Sequence, residues 1–126
     1  MQDFRNLRVW QKAHHLTLDI YKSSAAFPRE EIYGLTSQMR RSSVSIGANI
    51  AEGCCRQGDC ELGRFLQIAM GSASELEYEV LLAHDLSILK ESDYARLSRE
   101  VVEIKRMLAA LIHKLRSDTG KLRADS

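Results

Sequence analysis

Proline occurs once in the 126 residues, glycine seven times, and no run approaches the roughly 20 apolar residues that a membrane-spanning helix needs. So few enforced breaks, with a hydrophobic fraction of 44%, fit a helical globular chain and leave no region of disordered or low-complexity composition. Charge of one sign is also lacking. Eighteen Lys and Arg against seventeen Asp and Glu give a net charge of +1, which excludes a polyanion binder that works by bulk charge and leaves only local patches. Cysteine is scarce and oddly placed: Cys54 and Cys55 are adjacent and Cys60 stands alone, which is no framework for a secreted, disulfide-stapled fold. A reducing compartment suits these thiols better. Asp3, Arg5 and Arg8 occupy the region where a signal peptide would need an apolar core, so the expectation is a cytoplasmic protein without a membrane anchor.

Catalytic and cofactor signatures are missing as well. GxSxG, HExxH, GxGxxG and GxxxxGK[ST] do not occur, which removes local support for a nucleophile elbow, a zincin, a dinucleotide site or a P-loop. There is no CxxC, and His14, His15, His84 and His113 lie far from the cysteines in sequence. The Glu-x-x-His pairs with which helical bundles build di-iron centres are absent too. The reading is therefore a protein without enzymatic activity, cofactor or metal.

What is present centres on Tyr33 to Gly53, YGLTSQMRRSSVSIGANIAEG. Between Ser42 and Ala51 there is no charge, although 28% of the chain is charged. Wound at about 100° per residue, Leu35, Met39, Ile46 and Ile50 form an apolar stripe, and Thr36, Ser43, Gly47 and Ala51 form a strip of small side chains that permits close backbone approach. Gln38, Ser45, Asn49 and Glu52 make a third, mostly uncharged polar strip, better suited to hydrogen bonding in an interface than to solvation. Such a helix asks for cover on more than one side, which predicts a partner beyond its own bundle, with Ser43, Gly47, Asn49 and Ala51 as oligomer-interface candidates.

Three further helices follow from periodicity. Phe4 to Phe27 carries Val9, Ala13, Leu16 and Ile20 in one stripe, widened by Trp10 and Tyr21, and Pro28 forbids continuation. The second helix is predicted from Leu35 to Glu52, closed by Gly53, and the third from Cys60 to Leu89 with Leu62, Ala69, Ala73, Leu76, Val80 and Ala83 inward. Ser92 is the expected N-cap of the fourth, along which Tyr94, Leu97, Val101, Ile104, Leu108, Leu111 and Leu115 alternate spacings of three and four. Short turns between them predict an all-α, antiparallel up-and-down four-helix bundle over residues 1–117, with a frayed tail over 118–126.

Two basic groupings are candidates for nucleic-acid contact. Arg5, Arg8 and Lys12 recur at helical spacing, continued by His15 and Lys22 and interrupted by Asp19; in a lone subunit this is an ordinary solvated face, whereas symmetry would multiply it into a positive ring. Arg40 and Arg41 sit together on the second helix, and one of them is expected to answer Glu75 and Glu79.

FRNLRVWQKAHHLTLDIY, YGLTSQMRRSSVSIGANIAEG and RFLQIAMGSASELE, in this order and spacing, resemble the four-helix-bundle proteins encoded in intervening sequences of bacterial large-subunit ribosomal RNA genes. The resemblance runs from Phe4 to about Leu115. It implies a homopentamer of antiparallel bundles around a central channel, without enzymatic activity. Through its likeness to the accessory variability proteins of diversity-generating retroelements, it also implies nucleic acid and a nucleic-acid-processing enzyme as partners. The shared segment maps onto Tyr33, Gly34, Leu35, Ser37, Gln38, Arg40, Arg41, Ser45, Asn49, Ala51, Glu52 and Gly53 as packing and interface positions, and the resemblance carries no established site residues. Cys54, Cys55 and Met70 depart from the family's usual small, polar or basic choices.

The resulting expectation is a homo-oligomeric scaffold that contacts RNA or DNA, or an enzyme acting on them, through Arg5, Arg8, Lys12, Arg40 and Arg41. A protein-interaction module without nucleic-acid contact is the alternative, and a thiol-based metal or redox protein built on Cys54, Cys55 and Cys60 is the third.

Overall fold

The computed structural model describes residues 3–125, with side chains as far as Asp118. Four α-helices, and no strand among the described residues, follow one another as α1 (Arg8–Ser24), α2 (Leu35–Cys55), α3 (Asp59–Asp85) and α4 (Glu91–Asp125). Each helix packs on the next, and α1 closes the ring against α4. Cross-helix pairs fix the direction. Ser45 meets Ser72 between α2 and α3, and Lys12 meets Glu103 while Asp19 meets Arg96 between α1 and α4, so neighbours run antiparallel. This is the four-helix bundle that the stripes predict.

The core is those stripes brought together. Val9, Ala13, Leu16 and Ile20 of α1 meet Leu35, Met39, Ile46 and Ile50 of α2, Leu66, Ala69, Ala73, Leu76, Val80 and Ala83 of α3, and Leu97, Val101, Ile104, Leu108 and Ile112 of α4. Each fully buried Leu, Ile or Met contributes roughly 1.5–3 kcal/mol relative to exposure. Trp10 packs against this core from the edge, but Tyr21 does not widen it, because 44% of its surface is open.

Helix boundaries depart from the sequence reading where side chains and turn geometry override periodicity. The first helix breaks at its start: the Asp3 carboxylate accepts the Arg5 N–H at 3.0 Å and closes a 3₁₀ turn over Phe4–Asn6, after which Leu7 is extended and α1 begins. Gly53 does not end α2. It lies inside the helix, fully enclosed, where an added Cβ would stand 3.0 Å from both Leu62 Cδ1 and Phe65 Cβ. The chain reversal falls to Gly58, at φ +89°, a conformation that only glycine adopts freely. At the far end α3 stops at Asp85 rather than running to Leu89. The Ile88 N–H returns to the Ala83 carbonyl and the Ser87 N–H to that of His84, while Ser87 takes φ 61°, the left-handed closure in which glycine is commoner. Helix α4 then starts at Glu91, which puts Ser92 inside the first turn instead of at the cap.

The α3–α4 turn is tied by His84, whose ring stacks on Tyr94 at 4.0 Å and hydrogen bonds to Glu91 and Asp85. The Glu91 contact is the main reason that the His84 pKa lies above the usual histidine value. The backbone of α4 continues helical to Asp125, past Ser117 where the period is lost. Ser126 and the side chains of 119–125 lie outside the described residues, whereas the backbone of the expected frayed tail is described through Asp125.

Candidate functional site

Two surfaces stand out, and α2 contributes to both. The first is a belt across α2 and α3. Residues 42–51 of α2 and 65–74 of α3 contain no ionisable side chain, and the antiparallel pairing sets these segments against each other. At the seam the Ser45 and Ser72 hydroxyls share a hydrogen bond of 2.8 Å, and the Asn49 amide donates to the Ser45 carbonyl at 2.8 Å and to its hydroxyl at 3.1 Å. Around the seam Val44 and Ile68 are 44% and 42% exposed, and nothing stands within 4 Å of where a Gly71 side chain would begin. An exposed mid-helix glycine costs about 1 kcal/mol against alanine, so this belt combines local instability with uncovered apolar surface.

The candidate interface residues divide across this belt. Asn49 and Ala51 are half-buried at the surface. Ser43 and Gly47 are fully enclosed by the chain itself: the Ser43 carbonyl accepts the Thr17 hydroxyl at 3.0 Å, and Gly47 seats the Trp10 indole. The small strip therefore brings α1 close to α2, a tertiary use that the helical wheel alone does not separate from an intersubunit one.

Beside the belt lies a buried acid. Glu79 is only 3% exposed and its Oε1 has no hydrogen-bond partner. Burial pushes its carboxyl up to about 7; the neighbouring Glu75 charge adds to this, and the Ser42 hydroxyl opposes it. The expected arginine does not arrive. Arg40 turns toward α1, where its guanidinium lies 4.7 Å over the Tyr21 ring and donates to Ser24 Oγ at 2.9 Å, and Arg41 donates to Ser37 Oγ at 3.4 Å. Arg40 is drawn by an electron-rich ring and a hydroxyl one helix away, a choice that spacing within α2 cannot reveal.

The second surface is the α1–α2 face. Residues 4–18 carry Arg5, Arg8 and Lys12, residues 35–51 carry Arg40 and Arg41, and neither segment contains a carboxylate. The structure thus puts Arg8 and Lys12 on α1, Arg40 and Arg41 on the adjacent α2, and Arg5 in the 3₁₀ turn that precedes α1. Their engagement differs. Arg5 lies 3.4 Å from Asp3 in an exposed pair, and such a pair is worth little in water. Lys12 reaches Glu103 of α4 at 2.7 Å and holds that carboxyl below its usual range. Arg8 forms no ion pair among the described residues.

Between α1 and α4 a groove of about 470 Å³ is lined by Arg8, Gln11, Lys12 and His15 on one wall and by Arg99, Glu100, Glu103 and Ile104 on the other. Further along, Arg96 is clamped by Asp19 at 2.8 Å and Asp93 at 2.9 Å; it holds Asp19 below the usual carboxylate range, while burial raises Glu100 beside it. This groove balances its charges internally and reads as a structural tie. Cys54 is buried, with its thiol pKa raised by that burial, whereas Cys55 and Cys60 are exposed. Among the described residues no three His, Cys, Asp or Glu side chains come together as metal ligands, and no helix is long and apolar enough to cross a membrane.

The model of the 23S rRNA-intervening sequence protein family matches residues 5–110, which takes in both surfaces and the whole core through Leu108. The chain belongs to this family. A similar solved structure is a protein of unknown function from the S23 ribosomal protein family of Bacteroides thetaiotaomicron, 27% identical, with a TM-score of 0.75 over 82% of this chain and 97% of the other. No curated protein matches. Within the family's span the α2 half of the uncharged belt was legible in the sequence. The α3 half, residues 65–74, carries the same signal of absent charge and was missed because only the packing shows which face of α3 meets Ser45.

Proposed function

We propose that this family member is a non-enzymatic scaffold that assembles with copies of itself through the α2–α3 belt and presents the α1–α2 cations to a polyanion. The observation that carries self-assembly is the belt: two adjacent helical segments of ten residues without charge, a hydrogen-bonded polar seam, and Val44, Ile68 and Gly71 open beside it. Apolar surface next to satisfied polar groups is what an interface core requires, and charge is what it excludes. Five copies, as the family resemblance implies, would have about five times the 14.3 kDa of one chain.

Sedimentation velocity on the wild type and on Gly71→Arg tests this. The wild type is expected as a multimer and the variant as a folded species of lower mass, because a long charged side chain fills space that the partner needs. A wild type that sediments as a folded monomer at micromolar concentration refutes it.

Nucleic acid is the favoured polyanion, because Arg5, Arg8, Lys12, Arg40 and Arg41 stand in two stretches, 4–18 and 35–51, that carry no Asp or Glu of their own, although Lys12 is answered by Glu103 of α4 and Arg5 by Asp3. Individual phosphate contacts of this kind are weak, and repetition around an assembly sums them. Retention of RNA and DNA across a salt series is expected to weaken steeply with salt. Absence of retention at low salt rejects this part and favours a protein partner instead.

A further inference from the structure

The α1–α2 face holds more than charge. Trp10 and His14, one turn apart on α1, stack with ring centroids 5.0 Å apart and planes only 6° from parallel. The indole is braced below by Phe4, edge-on at 4.9 Å, over which Arg5 lies at 4.8 Å. It is seated against Gly47, where any side chain would start 3.5 Å from the indole Nε1. The stack is therefore fixed before any ligand arrives, and its outer member, His14, is exposed. Further along α1, Leu18 is 57% and Tyr21 44% exposed, with Arg40 over the Tyr21 ring.

A core does not need this arrangement, since His14 contributes nothing to the buried cluster. A polyanion held by charge alone does not need flat rings either. Rigid aromatic planes beside a cation are what proteins use to hold unpaired bases, whose π-faces are free, whereas in a duplex those faces are covered by neighbours.

We propose that the Trp10–His14 stack is a platform for an unpaired nucleobase, with Arg5, which lies over the bracing Phe4 ring, receiving a flanking phosphate, so that the ligand is single-stranded rather than double-stranded nucleic acid. This rests on the nucleic-acid reading above and adds the strandedness and the residues that impose it.

Because Trp10 is the sole tryptophan, its emission reports on the platform directly. The experiment titrates the full-length protein at low salt with a labelled twelve-nucleotide single strand, the same strand in duplex, and an abasic strand with identical phosphates. Anisotropy and Trp10 emission are read together. The single strand is expected to quench Trp10 and to bind at least fivefold more tightly than the abasic strand, the size of one base stack. His14→Ala, at an exposed position, is expected to lose that advantage, and His14→Phe to restore it. Equal binding of normal and abasic strands, with unchanged Trp10 emission and ordinary salt dependence, overturns the platform and leaves the nucleic-acid reading standing. Tighter binding of the duplex overturns it likewise. No binding of any strand at low salt overturns that reading and the platform with it.

Discussion

Glu79 offers the sharpest quantitative test of the packing. Its carboxyl is buried beside Ser42 and Glu75, one oxygen lacks a partner, and its pKa stands near 7 against 4.5 for a free glutamate. A folded pKa raised above the unfolded one means that stability is fully present below pH 4.5. It is lost as pH rises from there through about 7, because the unfolded chain sheds a proton that the folded chain retains. At about 1.36 kcal/mol per pKa unit, the loss at pH 8 is on the order of 3 kcal/mol, a large share of a small domain's total. Glu79→Gln keeps the shape and removes the titration. Urea unfolding of both proteins at pH 5, 6, 7 and 8, at one protein concentration, is expected to show the variant gaining on the wild type by about 2–3 kcal/mol between the extremes. His84 acts in the same direction, its raised pKa giving stability that is present below pH 6.5 and lost as pH rises through the folded value. Both proteins share that contribution, so their difference isolates Glu79. A gap that stays constant across this range refutes the buried-acid argument.

Three other outcomes follow from the same packing. Gly53→Ala is expected to destabilise by about 1–2 kcal/mol despite alanine's better helix propensity, because its Cβ would press Leu62 and Phe65 at 3.0 Å; a more stable variant in thermal unfolding contradicts this. Ser87→Gly relieves the left-handed closure of α3 and is expected to add about 1 kcal/mol by the same measurement, with no gain counting against the strain. Thiol titration of the native protein is expected to find Cys55 and Cys60 reactive and Cys54 reactive only after unfolding, and three fast thiols would show that the α2–α3 end is open.

Periodicity determined the fold. The apolar stripes led by Val9, Leu35, Leu62 and Leu97, with Pro28 between the first two, specify four amphipathic helices, because burial of an apolar stripe is the dominant local demand and leaves its spacing in the chain. The stretch without charge on α2 likewise announced that this helix needs cover. What the sequence could not decide is which neighbour supplies it. Ser43 and Gly47 share a helical face with other interface candidates, yet α1 occupies them; Arg40 and Arg41 stand side by side, yet neither answers Glu79; Gly53 has the look of a helix end and serves as a point of contact. The seat of the Trp10 indole on Gly47 and the facing of the α3 half of the belt to Ser45 likewise exist only once helices are set beside one another. A helical wheel fixes the direction in which a side chain leaves its own axis, whereas its partner depends on the rotation and register of a second helix, which are settled by the whole core packing at once.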